Sequence, residues 1–210
     1  MRDVIELAQE RRRVAEGILA DLDLLRKWER FGRPVVVGAF SYDLLLDPDI
    51  DMEIYCPDLR IDHGCQVLGE CALNGRVSGA RFANELAGRD RALYWRICYR
   101  GDDEVEWKID MWSAPRECDL PRAEHLIEPM RAALTPETRR VILELKAQRR
   151  VDSSLRCPSI DLYRAVLDDH VRTADDLRAW LASHETGGLS DWRPKAAARR
   201  PADDAGGPRV

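Results

Sequence analysis

The sequence predicts an α/β (α+β) protein in which a small mixed sheet is flanked by helices and followed by a helical C-terminal region. The sheet is predicted by a short β-branched run at 34–38 and by residues 49–56, where apolar and polar side chains alternate. The helices are predicted by apolar residues that recur at three- and four-residue steps near both ends of the chain. We expect 1–130 to form the sheet domain, 131–186 a helical cap and 187–210 a disordered tail.

Composition limits the function classes. The 210 residues are 45% hydrophobic, which suffices for one core with a small helical appendage. Lysine and arginine total 33 against 38 acidic residues, and the net charge of −5 makes nucleic acid an unexpected partner and favours a small substrate. No apolar run reaches membrane-spanning length, and the charged N-terminus does not resemble a signal peptide, so we expect a cytoplasmic protein without membrane contact. The oligomeric state is not predicted.

The elements follow in order along the chain. An apolar stripe from Asp3 to about Arg30 predicts a helix, which Gly32 and Pro34 end. The valine run at 34–38 predicts a strand buried on both faces, and 49–56 a strand with one acidic face. The region 57–91 is mixed, with weak helical character at 66–72 and 80–86. Strands at 92–99 and 105–112 are joined by hairpin-type residues, and helices are predicted at 135–150, 159–169 and 173–184.

One glycine and three aspartates form the pattern that indicates a chemical function. Gly38 follows the buried strand directly, Asp49 and Asp51 begin the next strand, and Asp110 lies inside a later strand. Residues two apart on a strand point the same way, so Asp49 and Asp51 project their carboxylates together. Two such charges repel unless a cation lies between them, and Mg²⁺, alone or as an ion pair, prefers oxygen ligands of this kind. An exposed acidic sheet face without a metal is the alternative.

The run from Val37 to Tyr55 resembles the signature of the DNA polymerase β-type nucleotidyltransferase superfamily, and more loosely its minimal and antibiotic-modifying members. The shared pattern is a glycine-initiated turn, an interval of about ten residues and Asp-Ile-Asp. The resemblance implies that Asp49 and Asp51 bind metal. It also implies that Asp110 is the third carboxylate, acting as metal ligand, general base or both.

The resemblance further implies a phosphate-binding turn. Gly38 initiates the turn, and the family places a serine next to it to hold the triphosphate. Here Ala39 occupies that position, and Ser41 is the nearest hydroxyl. Ala39 retains its backbone amide, so phosphate binding through the backbone is expected to persist, with Ser41 as the candidate replacement for the side-chain contact.

Other residues have two interpretations each. Lys108 shares a strand face with Asp110 and either neutralises phosphate charge or forms a cross-strand ion pair. Lys146, with Arg149 and Arg150, either reaches the triphosphate or complements the helix dipole. Glu53 is a neighbouring ligand or a solvated edge residue.

The aromatic residues near the site are equally open. Tyr163 either stacks on a nucleobase or packs in the core. Three tryptophans are expected near the site, as core or as pocket wall: Trp95, Trp107 and Trp112.

The sequence therefore predicts transfer of a nucleoside monophosphate, most simply AMP from ATP or another nucleoside triphosphate, to a hydroxyl of a small molecule. Mg²⁺ is the expected cofactor, as one ion or two. The main alternative is a catalytically silent nucleotide-binding or regulatory module, which Ala39 supports. A third possibility is nucleotide addition to RNA or protein, and the acidic balance weighs against RNA.

Overall fold

The computed structural model describes residues 3–102, 104–187 and 191–195. Two short 3-10 turns, Ala123–Leu126 and Ser153–Leu155, lie among the C-terminal helices. The other elements, in chain order, are α1 (Val4–Asp21), α2 (Leu24–Glu29), β1 (Arg33–Val37), α3 (Gly38–Ser41), β2 (Asp49–Cys56), α4 (Ile61–Ala72), β3 (Val77–Glu85), β4 (Ala92–Arg100), β5 (Glu106–Pro115), α5 (Ile127–Ala133), α6 (Pro136–Arg149), α7 (Ser159–Leu167) and α8 (Ala174–Ser183).

The predicted N-terminal helix is two helices. Asp3 begins α1, because its carboxylate accepts a hydrogen bond from the Ile5 N–H at 2.7 Å. Asp23 adopts a left-handed backbone with φ of 48°, which aspartate tolerates better than most residues, and α2 starts after it. The apolar stripe therefore continues across a break that periodicity alone does not reveal.

The sheet has five strands in the order β1-β2-β5-β4-β3. Strands β2 and β5 are parallel, and every other neighbouring pair is antiparallel, so the predicted mixed sheet is confirmed. The weak helix predicted at 80–86 is wrong, since residues 80–85 belong to edge strand β3. Most β3 side chains are exposed, so the segment lacks the alternation that marks a half-buried strand.

One face of the sheet is covered by α1, α2 and α4. Alternate residues of the central strands, including Ile50 and Met111, are buried in this first core. Trp28 of α2 lies in the same core, and its indole N–H contacts Met111 Sδ at 3.1 Å. Trp95 and Trp107 are fully buried here, so they are core residues. Because side chains alternate, the acidic residues of β2 project from the opposite face.

The second core lies among α5, α6, α7 and α8. Helix α6 begins as predicted, with Thr135 as its N-cap and Pro136 in its first turn. Thr173 is the N-cap of α8, and both threonines form a capping box. The core also includes Tyr42 and Leu44, from the segment between α3 and β2. The helical region thus packs directly onto the segment that precedes the Asp-x-Asp strand.

A short stretch of the predicted tail contacts the helical region. Trp192 donates its indole N–H to Asp168 Oδ2 at 2.7 Å, and the Lys195 N–H donates to Asp168 Oδ1 at 3.0 Å. These contacts differ from the disorder expected for 187–210, whereas 188–190 and 196–210 lie outside the described residues. Within the described ranges, no helix combines the length and apolarity that crossing a bilayer requires.

Candidate active site

The three predicted carboxylates converge. Strands β2 and β5 run parallel with Asp51 opposite Asp110 and Asp49 opposite Lys108, so all four side chains leave the same sheet face. One oxygen of each of Asp49, Asp51 and Asp110 lies within 4.8 Å of the others. This acidic cluster lies on the sheet face away from the first core.

The cluster is electrostatically unfavourable without a cation. Burial, with the charge of Asp110, raises the pKa of Asp49 to about 6. Burial and the neighbouring Asp49 raise the pKa of Asp51 to about 7. Asp49 Oδ1 is buried without a hydrogen-bond partner among the described residues. An oxygen-lined, negatively charged group with an unsatisfied buried acceptor fits a divalent ion such as Mg²⁺.

The backbone conformation and the close packing at position 38 both require glycine. Its φ is +67°, a region that residues with a side chain rarely adopt, and a Cβ built on it would overlap Asp51 Oδ2. Val37, the last residue of β1, pairs with Asp51 across the sheet. The turn into α3 therefore passes directly over the Asp51 carboxylate, which only glycine permits.

Asp110 is held by two residues of β4. Arg96 donates from Nε to Asp110 Oδ1 at 2.6 Å and from Nη2 to Oδ2 at 2.9 Å, and the Tyr94 hydroxyl donates to Oδ1 at 2.5 Å. These contacts with Asp110 raise the pKa of Arg96, which stays a cation. Sequence reasoning missed both partners, although the predicted hairpin places β4 beside β5 and a count of its register reaches Arg96 opposite Asp110.

A cavity of about 420 Å³ between the sheet and the helical region is lined by Asp49 and Asp51, whereas Asp110 lies outside its lining. Lys146 of α6 lies on its wall, almost fully buried, and its ammonium donates to the Leu44 carbonyl at 2.8 Å. Burial lowers the pKa of Lys146 to about 8. The charged and aromatic side chains that line the cavity are Asp47, Asp49, Asp51, Glu53, Asp90, Arg122, Lys146, Arg149, Arg193, Tyr42, Trp112, Tyr163 and Trp192.

Solved structures share this architecture. No protein-family model matches the sequence, and no curated protein matches it. A structure of Cid1 in complex with its short product ApU superposes with a TM-score of 0.54 at 15% identity, covering 75% of this chain and 48% of that one. Cid1 poly(U) polymerase with bound MgGTP gives 0.58 at 13% identity, with 75% and 50% covered. A cytoplasmic RNA terminal U-transferase gives 0.52 at 16% identity, with 79% and 51% covered.

This chain has the nucleotidyltransferase fold that the sequence resemblance predicts, as the superposed structures show. It spans about half the length of the similar chains.

The hydroxyl nearest to the turn of this nucleotidyltransferase fold does not face the cleft. Ser41 is buried, and its hydroxyl donates to the Val36 carbonyl at 2.7 Å, so it is absent from the residues that line the cavity. Ala39 does line the cavity. The expectation that Ser41 replaces the family's serine is corrected. The Ser41 hydroxyl stabilises the turn between β1 and α3, so only backbone groups of this turn remain to contact a phosphate.

The basic residues considered as phosphate contacts fall into two groups, those that line the cavity and those that do not. Lys146 and Arg149 line the cavity, and Arg149 also bonds the Cys157 carbonyl at 3.0 Å. Arg150 pairs with Asp47 at 2.9 Å. Lys108 is exposed and outside the cavity lining, and its ammonium forms no ion pair within the described part of the chain. The cross-strand ion pair suggested for Lys108 is therefore not formed, and direct contact with a cavity-bound phosphate is not supported.

Glu53 has a role that sequence reasoning missed. It is 8% exposed, and it accepts hydrogen bonds from the Ala123 and Glu124 N–H groups at 3.0 and 2.9 Å and from the Tyr55 hydroxyl at 2.7 Å. The description as a solvated edge residue is wrong. Glu53 instead ties β2 to the turn Ala123–Leu126, which forms part of the cavity wall.

Two of the aromatic alternatives have a definite location. Tyr163 is buried edge-on against Tyr42, with ring centroids 6.1 Å apart, and it also borders the cavity. Trp112 lies on the acidic face of β5 beside Tyr94 and forms cavity wall. Tyr163 is therefore a residue of the second core that borders the cavity, and its stacking on a nucleobase stays a prediction.

The raised pKa values predict how a divalent ion affects stability. Asp49 and Asp51 bind protons more tightly in the folded chain than in the unfolded one, so metal-free stability falls as pH rises from about 4 to about 7. An ion requires the ionised carboxylates, so Mg²⁺ should raise the melting temperature strongly near pH 8 and little near pH 5. Thermal unfolding at both pH values checks this, with NaCl at equal ionic strength as the control. An equal Mg²⁺ effect at both would contradict it.

Proposed function

We propose that the protein is a divalent-metal-dependent nucleotidyltransferase that moves a nucleoside monophosphate from a nucleoside triphosphate to a hydroxyl group and releases pyrophosphate. The observation that carries the proposal is the convergence of Asp49, Asp51 and Asp110 beside a cavity bordered by Lys146 and Arg149. Acidic ligands on one wall and basic groups on the other suit a metal-bound polyphosphate.

In the proposed reaction, Asp49 and Asp51 would hold Mg²⁺, and the bound ion would stabilise the negative charge of the phosphate oxygens. The acceptor hydroxyl oxygen attacks the α-phosphorus and forms the new P–O bond, while the bond to the β-phosphate oxygen breaks. Asp110 Oδ2 would take the hydroxyl proton, because Oδ1 accepts from both Tyr94 and Arg96 whereas Oδ2 accepts from Arg96 alone. Pyrophosphate leaves with the electrons of the broken bond.

The phosphates would be held from two sides. The first N–H groups of a helix have no intrahelical acceptor, so the Gly38 and Ala39 amides at the start of α3 are suited to phosphate oxygens. Lys146 lies across the cavity, where its low exposure strengthens its interaction with an anion. Arg149, three residues later on α6, would contact the leaving pyrophosphate.

The donor we propose is ATP, with AMP transferred, and the acceptor a small molecule that bears a hydroxyl. The net charge of −5 supports the small acceptor. A second candidate is the terminal hydroxyl of RNA, favoured because the similar structures include a poly(U) polymerase and an RNA terminal U-transferase. Ala39, in place of the family's serine, is what supports a silent nucleotide-binding module.

One assay separates these possibilities. The protein is incubated with Mg²⁺, each of the four α-labelled nucleoside triphosphates, and either a panel of small hydroxyl compounds or an RNA with a free or blocked 3′ end. Pyrophosphate release with label on a small acceptor supports the proposal, and label only on unblocked RNA supports the second candidate. Nucleotide binding in titration calorimetry without release under any condition would support the silent module. Asp51→Asn is the matched inactive control.

A further inference from the structure

Asp110 has little capacity for further ligands. Its Oδ1 accepts from both Tyr94 and Arg96, which uses both lone pairs, and its Oδ2 accepts from Arg96. One lone pair on Oδ2 remains. Asp110 therefore has room for one additional contact, whereas a carboxylate in a site with two ions is commonly shared between metals, waters and substrate.

The charge of the cluster leads to the same conclusion. Three carboxylates carry three negative charges, and the Arg96 guanidinium, bound to Asp110 through two nitrogens, offsets one of them. The two charges that remain match one divalent ion. Lys146 is directed to the Leu44 carbonyl and forms no hydrogen bond to the three aspartates in the described residues.

We infer that Arg96 takes the place of a second metal ion, so that the carboxylate cluster alone binds one divalent ion, held by Asp49 and Asp51. Arg96 is a positioning residue: it orients and neutralises Asp110 without touching substrate. This inference rests on the metal site of the proposed function and specifies how that site is loaded before a nucleotide arrives.

The geometry of the Arg96 guanidinium suits this positioning role. A planar guanidinium matches a carboxylate with two parallel bonds, a geometry that lysine cannot form. Arg96 also lies over the Tyr94 ring, 5.6 Å from its centroid. Its one ion pair among the described residues is with Asp110. The side chains are 29% exposed for Arg96 and 15% for Asp110, so solvent screens the pair only partly.

The inference is tested by counting bound Mn²⁺ without nucleotide, using electron paramagnetic resonance of the free ion. Wild-type protein should bind one ion at the cluster. Arg96→Gln, and Arg96→Met as a second charge-removing variant, should bind two, because Asp110 is released as a ligand. Asp110→Asn added to either variant should return the count to one. Tyr94→Phe, which removes a hydrogen bond to Asp110 but no charge, should stay at one, and so should Arg96→Lys.

Each outcome has a defined meaning once circular dichroism confirms folding. Two ions in the wild type, or one ion in both charge-removing variants, would overturn the inference and leave metal-dependent transfer intact. No ion in any variant, or no loss of the ion in Asp51→Asn, would overturn both the inference and the proposed metal site. Loss of nucleotidyl transfer alone, with the ion counts as expected, would affect only the proposed function.

Discussion

Asp51→Asn is expected to reduce the proposed nucleotidyl transfer by about a thousandfold, because several kcal/mol of transition-state charge stabilisation would depend on the metal ligand. Asparagine has the same shape as aspartate, so we expect it to fit beneath Gly38 without rearrangement. The loss would therefore reflect charge. Pyrophosphate release at saturating Mg²⁺ and nucleoside triphosphate measures it.

The same substitution should stabilise the metal-free protein. The pKa of Asp51 is raised to about 7, so ionising this group as pH rises from about 4 to about 7 destabilises the folded chain. Asparagine carries no such penalty. We expect a higher melting temperature than wild type near pH 8 without metal, no such gain near pH 4, and loss of most of the Mg²⁺ stabilisation.

A control variant shows whether the loss of turnover and of Mg²⁺ stabilisation is specific to the Asp51 carboxylate. Asp58 is exposed in the loop after β2, and Asp58→Asn should change neither turnover nor the Mg²⁺ response. An Asp51→Asn variant with wild-type turnover, or with lower metal-free stability at high pH, would contradict the metal-ligand role.

Gly38→Ala is the second substitution with a large expected effect. The new Cβ would overlap Asp51 Oδ2, and the positive φ costs about 1–2 kcal/mol for a residue with a side chain. Displacing the Asp51 carboxylate by about 1 Å is expected to lower turnover about a hundredfold. Steady-state kinetics and thermal unfolding measure the two parts.

Two further variants distinguish the backbone strain at the positive φ from the steric overlap with Asp51. Asparagine tolerates a left-handed backbone, so Gly38→Asn should recover part of the stability but not the activity, since its Cβ still meets Asp51. Gly17 lies inside α1, where an added Cβ would face open space. Gly17→Ala should keep full activity and gain up to about 1 kcal/mol of stability. Equal activity in Gly38→Ala and wild type would refute the close approach.

The acidic cluster was predictable because its determinants are local. A period of two on β2 puts Asp49 and Asp51 on one face, and the alternation in β5 gives Asp110 a definite side. The turn at Gly38 was also readable, since a glycine directly after a strand indicates an unusual backbone. These features need no knowledge of distant parts of the chain. The burial of that strand on both faces was wrongly predicted, because β1 lies at the edge of the sheet and only Val37 is fully buried.

The supporting contacts were not predictable because they depend on distant segments. Glu53 continues the acidic face, but its partners Ala123 and Glu124 lie about seventy residues later. The burial of Lys146 depends on how α6 meets the segment at Leu44. Edge strand β3 lacks a buried face, so its exposed side chains gave no strand pattern.

Diffraction from crystals soaked in MnCl₂, with anomalous scattering used to locate the ion, tests the proposed metal site most directly. We expect one anomalous peak at coordination distance from both Asp49 and Asp51, with Arg96 still paired to Asp110. A peak elsewhere on the protein, with none at these carboxylates, would contradict the metal site. An ion-free cluster at saturating Mn²⁺ would contradict it equally.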